Sequence, residues 1–361
     1  MKYRLVDLLT CSCGKSELAV EGNGIKQVVF DSKIDKVKCI NTCAYKNMKM
    51  PSDTVTVNDC MKCYSAEILE GVIKCKCGKK YNIKNGIPRF LPESMESNFK
   101  KIQDTFSYEW KMFRFGERNW GQDIEFRKNL FLQGIGKKPE DLNNKLILDA
   151  GCGSGVLAIE MARSFKMEVV ALDLSFGIEK AYENNDNPFV YFVQGSVLEL
   201  PFKDSAFDLL YCAGVLVALP DTRIGFQSIT RKIKKGGRCF IWLYHPIDDE
   251  YHPKDKYKML FYNWIRKNIT SPMPIKAQYY FYLSLMPFFL VKQHLEYMIG
   301  KKKVKLTWRE KMQALFDMFS PIYQNRHTHP EAMEWYKEDG FTNVKVSDIG
   351  PYGFGIYGDL L

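Results

Sequence analysis

LILDAGCGSG (146–155) is the stretch on which the fold turns. A short apolar run ends in glycines at 151, 153 and 155, the pattern of a buried strand passing through a tight loop into a helix. VLAIEMARSF (156–165) reads as that helix. Outward from it the alternation repeats. MEVVALD (167–173) is a second strand and SFGIEKAYENN (175–185) a second helix, and FVYFVQG (189–195), FDLLYC (207–212) and RCFIWLY (238–244) are further buried-strand runs. Near the C-terminus Pro330, Glu331 and Gly340 bound a helix over 330–339, and TNVKVSD (342–348) and FGIYGDL (354–360) are strand-like. Strands alternating with helices predict a parallel, doubly wound α/β sheet.

Glycines between the first strand and its helix let backbone approach a ligand, and the helix amino end offers free N–H donors. A dinucleotide fingerprint needs a third small residue at 156, which is Val156. Asp173 ends the second strand, where a carboxylate can accept hydrogen bonds from a ribose diol. That placement serves NAD or another adenosyl ligand.

The ordered set LDAGCGSG, ALDLS, VQGSVLELPF, FDLLYCAGVLVALPD and ITRKIKKGG resembles class I S-adenosylmethionine (SAM) methyltransferases. More narrowly it is similar to the small-molecule branch that includes the ubiquinone and menaquinone methylases. The likeness covers about 146–244 and returns in RHTHPEAMEWYKEDGF (326–341). The resemblance implies a Rossmann-like, seven-stranded class I methyltransferase sheet. It also implies that Asp149, Gly151, Cys152 and Gly153 line the methionine and ribose side of SAM, that Asp173 holds the ribose hydroxyls, and that Leu174 packs on adenine. Ser196 and Val197 take the adenine-contact position, where the family commonly has an aspartate in place of Ser196. Cys212 and Ala213 end the fourth strand beneath the sulfonium, with plain packing as the other reading of Cys212.

The absent motifs narrow the chemistry. Cys-Ala-Gly-Val (212–215) stands where exocyclic-amine DNA methylases carry Asn/Asp-Pro-Pro-aromatic, and no Pro-Cys nucleophile for pyrimidine C5 occurs. Methyl transfer from a sulfonium needs positioning and at most one base. His245, after the fifth strand, is the candidate base, with packing as its other reading. Tyr108 and Trp110 are placed either to close over the methionine end of SAM or to pack a core.

The chain has 361 residues, formal net charge +10, 46% hydrophobic and 26% charged residues, which excludes a mainly disordered or fibrous protein. Residues 1–100 are net +6, 254–313 net +10, and the remainder −6. Asp7 interrupts any secretory apolar stretch, and the longest apolar run, 279–291, contains Pro287 and falls short of the ~20 residues of a bilayer span. A cytoplasmic protein is expected.

Eight cysteines fall in four close pairs, Cys11/Cys13, Cys39/Cys43, Cys60/Cys63 and Cys75/Cys77, and Gly14 and Gly78 follow two of them. Two thiolates on one tight turn reach a single tetrahedral zinc, so the eight are candidate ligands for two ions. The segment 59–92 resembles the zinc ribbon of the tRNA-methyltransferase activator, in its cysteine pairs, Gly71 and the closing Tyr81-Asn-Ile and Gly86-Ile-Pro. The expected organisation is a zinc ribbon (1–92), a helical lead-in (93–145), a SAM-binding core (146–245), a basic aromatic helical insertion (246–325) and a closing helix with strands (326–361).

The insertion joins its charge to FYNWI (261–265) and FYLSLMPFFLV (281–291). It reads as a lid on an apolar acceptor, a surface for an anionic membrane, or a nucleic-acid contact. Zinc on eight thiolates lowers the ribbon's charge to about +2, which weakens nucleic acid as the partner. The expected function is methyl transfer to a small, lipid-like or bulky apolar acceptor. The alternatives are an rRNA or tRNA methyltransferase and a non-catalytic SAM-binding scaffold.

Overall fold

The computed structural model describes residues 1–14, 17–30, 34–91, 96–301, 304–347, 349–350 and 352–361. The expected boundary at 92–93, and Lys302 and Lys303 of the basic insertion, lie outside the described residues. A 3-10 turn at Tyr3–Asp7 precedes strands β1 (Leu18–Gln27), β2 (Thr42–Cys43) and β3 (Met48–Lys49). Helix α1 (Val57–Ser65) follows, started by a reciprocal Thr56–Asp59 capping box. Strands β4 (Ala66–Cys75), β5 (Lys80–Lys84) and β6 (Ile87–Phe90) complete this part, and α2 (Ser97–Met112) and α3 (Ile124–Ile135) form the lead-in.

The alternating core runs β7 (Leu146–Ala150), α4 (Val156–Phe165), β8 (Glu168–Asp173), α5 (Gly177–Glu183), β9 (Val190–Gly195), β10 (Phe207–Ala213), α6 (Thr222–Thr230) and β11 (Ile233–Tyr244). The insertion supplies α7 (Lys256–Ile265), α8 (Ile275–Met298) and α9 (Trp308–Phe319). The chain closes with α10 (His329–Glu338), β12 (Phe341–Ser347) and β13 (Gly353–Leu360). Thr328 and Glu331 cap α10, and Gly340 follows it at φ 82°, the stop its sequence announces.

One eleven-stranded sheet results, in the order β1-β4-β5-β6-β9-β8-β7-β10-β11-β13-β12. Its part from β9 to β12 is the expected seven-stranded α/β sheet. Neighbours from β9 to β11 are parallel, while β13 runs antiparallel to both β11 and β12. β7 is buried throughout because helices cover both faces, which is why it is apolar at every position but Asp149. Ile147 and Leu148 are fully buried, each stabilising the fold by about 1.5–3 kcal/mol. Strand order reverses between β7 and β10, and their carboxyl ends open the crevice where such sheets bind ligands.

The ribbon strands extend this same sheet. β6 lies parallel to β9, with Arg89 opposite Gln194 and Phe90 opposite Gly195. Leu5, Val6, Leu8 and Leu9 pack in one core with Leu148, Val170 and Leu172. Buried Arg4 pairs with Asp7 at 2.7 Å and reaches Glu168 of β8 at 3.5 Å, while Tyr64 of α1 donates to Glu168 at 2.6 Å. Asp7, which breaks the N-terminal apolar run, accepts from the backbone of Ile40, Asn41 and Thr42. A join of this kind leaves no periodic signal, since it rests on two residue pairs and a few distant side chains.

Candidate functional site

The loop after β7 is shaped by glycines with φ of 90° at 151, 56° at 153 and 69° at 155. Gly151 and Cys152 both donate their N–H to the Leu172 carbonyl, at 2.7 and 3.0 Å, which docks the loop on β8. Asp173 then organises the site. One carboxylate oxygen accepts from the Gly153 N–H at 2.7 Å, and the other accepts from the Ser175 N–H at 2.7 Å and its hydroxyl at 2.6 Å. Burial raises the Asp173 pKa, and these three bonds oppose the rise. Asp149, at the end of β7, is also buried. Desolvation pushes its carboxyl up to about 7, against the pull of the Arg127 guanidinium on α3 and with the push of Asp173.

Helix α2 roofs the loop. The Trp110 ring fills the space that a side chain at Gly153 would need and also meets Gly177. Gln103 donates to the Leu174 carbonyl at 3.0 Å, as does Gln194 at 3.2 Å, and the Ser107 hydroxyl accepts from Phe176 N–H at 3.0 Å. Tyr108, by contrast, stacks on Phe316 of α9, with ring centroids 6.1 Å apart. The two aromatics therefore part company: Trp110 faces the glycine loop and Tyr108 the core of the insertion.

The other candidate residues divide in the same way. Asp149, Gly151, Cys152, Gly153 and Asp173 converge at the carboxyl ends of β7 and β8, with half-buried Leu174 next to them. Ser196 and Val197 follow β9, and the Ser196 hydroxyl accepts from Leu198 N–H at 3.2 Å. Cys212 is fully buried in the core, whereas Ala213 is exposed at the end of β10. His245 follows β11 in an aromatic stack, 4.3 Å from Tyr251 and 5.1 Å from Phe354 between ring centroids, and its carbonyl accepts from Arg326 at 2.8 Å. His327 bridges Glu331 and Thr222, both at 2.9 Å.

Of the eight ribbon cysteines, Cys11, Cys13, Cys75 and Cys77 come together with all four sulfurs within 4.8 Å of one another. Two turns carry them, each closed by a glycine, Gly14 at φ 79° and Gly78 at φ 94°. Four thiols at this spacing fit a tetrahedral zinc. Cys39, Cys43, Cys60 and Cys63 do not close to that spacing, and burial pushes the Cys63 thiol up to about 12. Sequence reasoning did not single out Gln103, Glu109, Arg127 or Asp317. The signal for Glu109 was helical spacing, since it lies four residues after Thr105 on α2.

Residues 148–241 match the family model of a methyltransferase domain. The chain is similar to an O-methyltransferase of Aspergillus nomiae, 31% identical over 123 residues that cover 33% of this chain and 55% of the relative. It is also similar to the 2-phytyl-1,4-naphtoquinone methyltransferase of a Nostoc species, 28% identical over 181 residues that cover 47% of this chain and 75% of the relative. The chain thus spans about half the length of the first and three quarters of the second. Among solved structures, magnesium protoporphyrin IX methyltransferase of Synechocystis is 12% identical with a TM-score of 0.42, over 75% of this chain and all of that one.

Proposed function

We propose that this chain, which carries a SAM-dependent methyltransferase domain at 148–241, transfers a methyl group to a small, apolar acceptor met at the surface of an anionic membrane. SAM supplies an activated methyl on a sulfonium. Gly153 and Asp173 would hold its ribose side, with Leu174, Ser196 and Val197 along the adenine. Asp149 would meet the positive methionine end. Trp110, lying over the loop, would keep water out. The observation that carries the cofactor assignment is the closed set of bonds between Asp173, Gly153 and Ser175 beneath α2.

Asp149 makes this assignment pH-sensitive. Its folded pKa of about 7 lies above the ordinary 3.8, so between those values the folded protein holds a proton that the unfolded chain has lost. Stability of the ligand-free protein should therefore fall as pH rises through this window. The carboxylate that attracts a cationic ligand appears over the same range. SAM affinity should rise with pH, by up to about tenfold per unit below pH 7, then level off. Calorimetry from pH 5.5 to 8.5 checks this, and an affinity that falls with pH would remove Asp149 from the site.

The acceptor reading rests on the insertion. Helix α8 carries apolar residues on every side, interrupted by Lys276, Lys292 and Glu296, and buries only Gln278, Tyr282, Met286 and Gln293. Tyr257 is 81% exposed, Phe288 66%, Met298 68% and Ile299 75%, amid lysines 254, 256, 258, 267, 276, 292 and 305. That much exposed apolar surface on one segment marks a contact site. No described helix is long and apolar enough to cross a membrane; exposed aromatic side chains beside lysines fit a segment that lies on the surface of an anionic one. Each lysine near an anionic bilayer adds roughly 1 kcal/mol. The protein should float with phosphatidylserine vesicles at low salt, and Trp264→Ser with Phe288→Ser should abolish flotation. Tight RNA binding without vesicle association would favour the RNA methyltransferase alternative.

A further inference from the structure

The seam between α2 and α9 is lined by polar groups that the fold itself does not satisfy. On α2, Thr105 and Glu109 lie four residues apart and are each 1% exposed; Thr105 Oγ1 and Glu109 Oε2 have no hydrogen-bond partner. On α9, Gln313 and Asp317 repeat the spacing, with Gln313 2% exposed and its Nε2 unpartnered. The stacked Tyr108 and Phe316 are the sequence neighbours of Glu109 and Asp317, which fixes the two helices at this level. A buried polar atom left without a partner costs about 1–3 kcal/mol, and three in one seam are a cost that a ligand can relieve.

We infer that this seam is the pocket for the acceptor's polar head, built to take a neutral or cationic hydrogen-bond donor, a hydroxyl or an amine, and to refuse a carboxylate or phosphate. This rests on the proposed methyltransferase reading and deepens it. Place supports it first. Trp110, the neighbour of Glu109, lies over Gly153, and Glu109 senses the Asp173 charge, so the seam lies beside the cofactor loop. Charge supports it second. Burial pushes the Glu109 carboxyl well up, with Asp317 and then Asp173 adding to the rise, and burial pushes Asp317 up to about 6. Asp317, ionised above about 6, repels an anion, and Glu109, held neutral by burial, still offers a carboxyl oxygen to a donor. Tyr244, which ends β11, senses both Asp317 and Glu109 electrostatically, along with the opposing Arg326, and so borders the same region.

The test uses three probes with one ring system, 1-naphthol, 1-naphthylamine and 1-naphthoate, titrated into the full chain saturated with S-adenosylhomocysteine. At pH 8 the naphthol and the amine should bind at least about tenfold tighter than the carboxylate, because a second negative charge beside ionised Asp317 is strongly disfavoured. In Asp317→Asn that preference should shrink to within about threefold, and in Glu109→Gln, which replaces one neutral group by another, it should persist, with S-adenosylhomocysteine affinity unchanged in both. Equal binding of the three probes, or binding of none, overturns the inference. Loss of S-adenosylhomocysteine affinity in Glu109→Gln overturns it too, by assigning that carboxyl to the cofactor. A wild-type chain that binds no S-adenosylhomocysteine instead sinks the methyltransferase reading beneath it.

Discussion

Asp173→Ala should weaken SAM binding by roughly 30- to 150-fold, corresponding to about 2–3 kcal/mol of lost charge-assisted hydrogen bonding. Both oxygens of this carboxylate accept, one from Gly153 and the other from Ser175, so a single side chain ties the glycine loop to the start of α5. Removing it releases the loop as well as the proposed ribose contact. Asp173→Asn is the sharper variant. Its amide would turn an N–H toward a backbone N–H at one of the two positions, so it should lose nearly as much affinity as alanine. A calorimetric affinity unchanged in either variant would remove Asp173, and the glycine loop with it, from the cofactor site. NAD should bind far more weakly than SAM, since Val156 occupies the position where a dinucleotide loop needs its third small residue.

Metal removal should have the second large effect. Zinc held by Cys11, Cys13, Cys75 and Cys77 would contribute directly to folding, as structural sites of this type do, with apparent binding energies on the order of 10 kcal/mol. Metal analysis should give close to one tightly held ion per chain, and Cys75→Ser should lose it. A value near two would bring in Cys39, Cys43, Cys60 and Cys63. No metal, with all eight thiols alkylated in the native protein, would refute the site. The damage should also be local. The turns at 11–14 and 75–81 should open to hydrogen exchange. The N-terminal segment should stay docked, because Leu5, Val6, Leu8 and Leu9 share the core of the main sheet and Arg4 pairs with Asp7 and Glu168. Unfolding of the whole ribbon on chelation, the outcome expected of an independent domain, would contradict that shared core.

The sequence by itself determined the alternating sheet and its glycine loop. A strand buried on both faces is mostly apolar, as 146–150 is at every position but Asp149, and a backbone with φ of 56° beside the packed Trp110 calls for glycine at 153. Cysteine pairs followed by glycine were legible for the same local reason. The tertiary structure alone decided the rest. It chose which pairs meet, since Cys11 and Cys77 are 66 residues apart in the chain and their sulfurs are 3.7 Å apart in space. It made the ribbon an extension of the sheet through β6 and β9, a pairing of short segments that carries no periodicity. It also separated Trp110 from Tyr108, and it put Glu109 opposite α9 some 200 residues later, where an exposed-looking carboxyl in a polar helix becomes a buried one. Local sequence encodes dihedral angles and the periodicity of burial. The environment of a charge depends on what packs over it, and distant parts of the chain supply that.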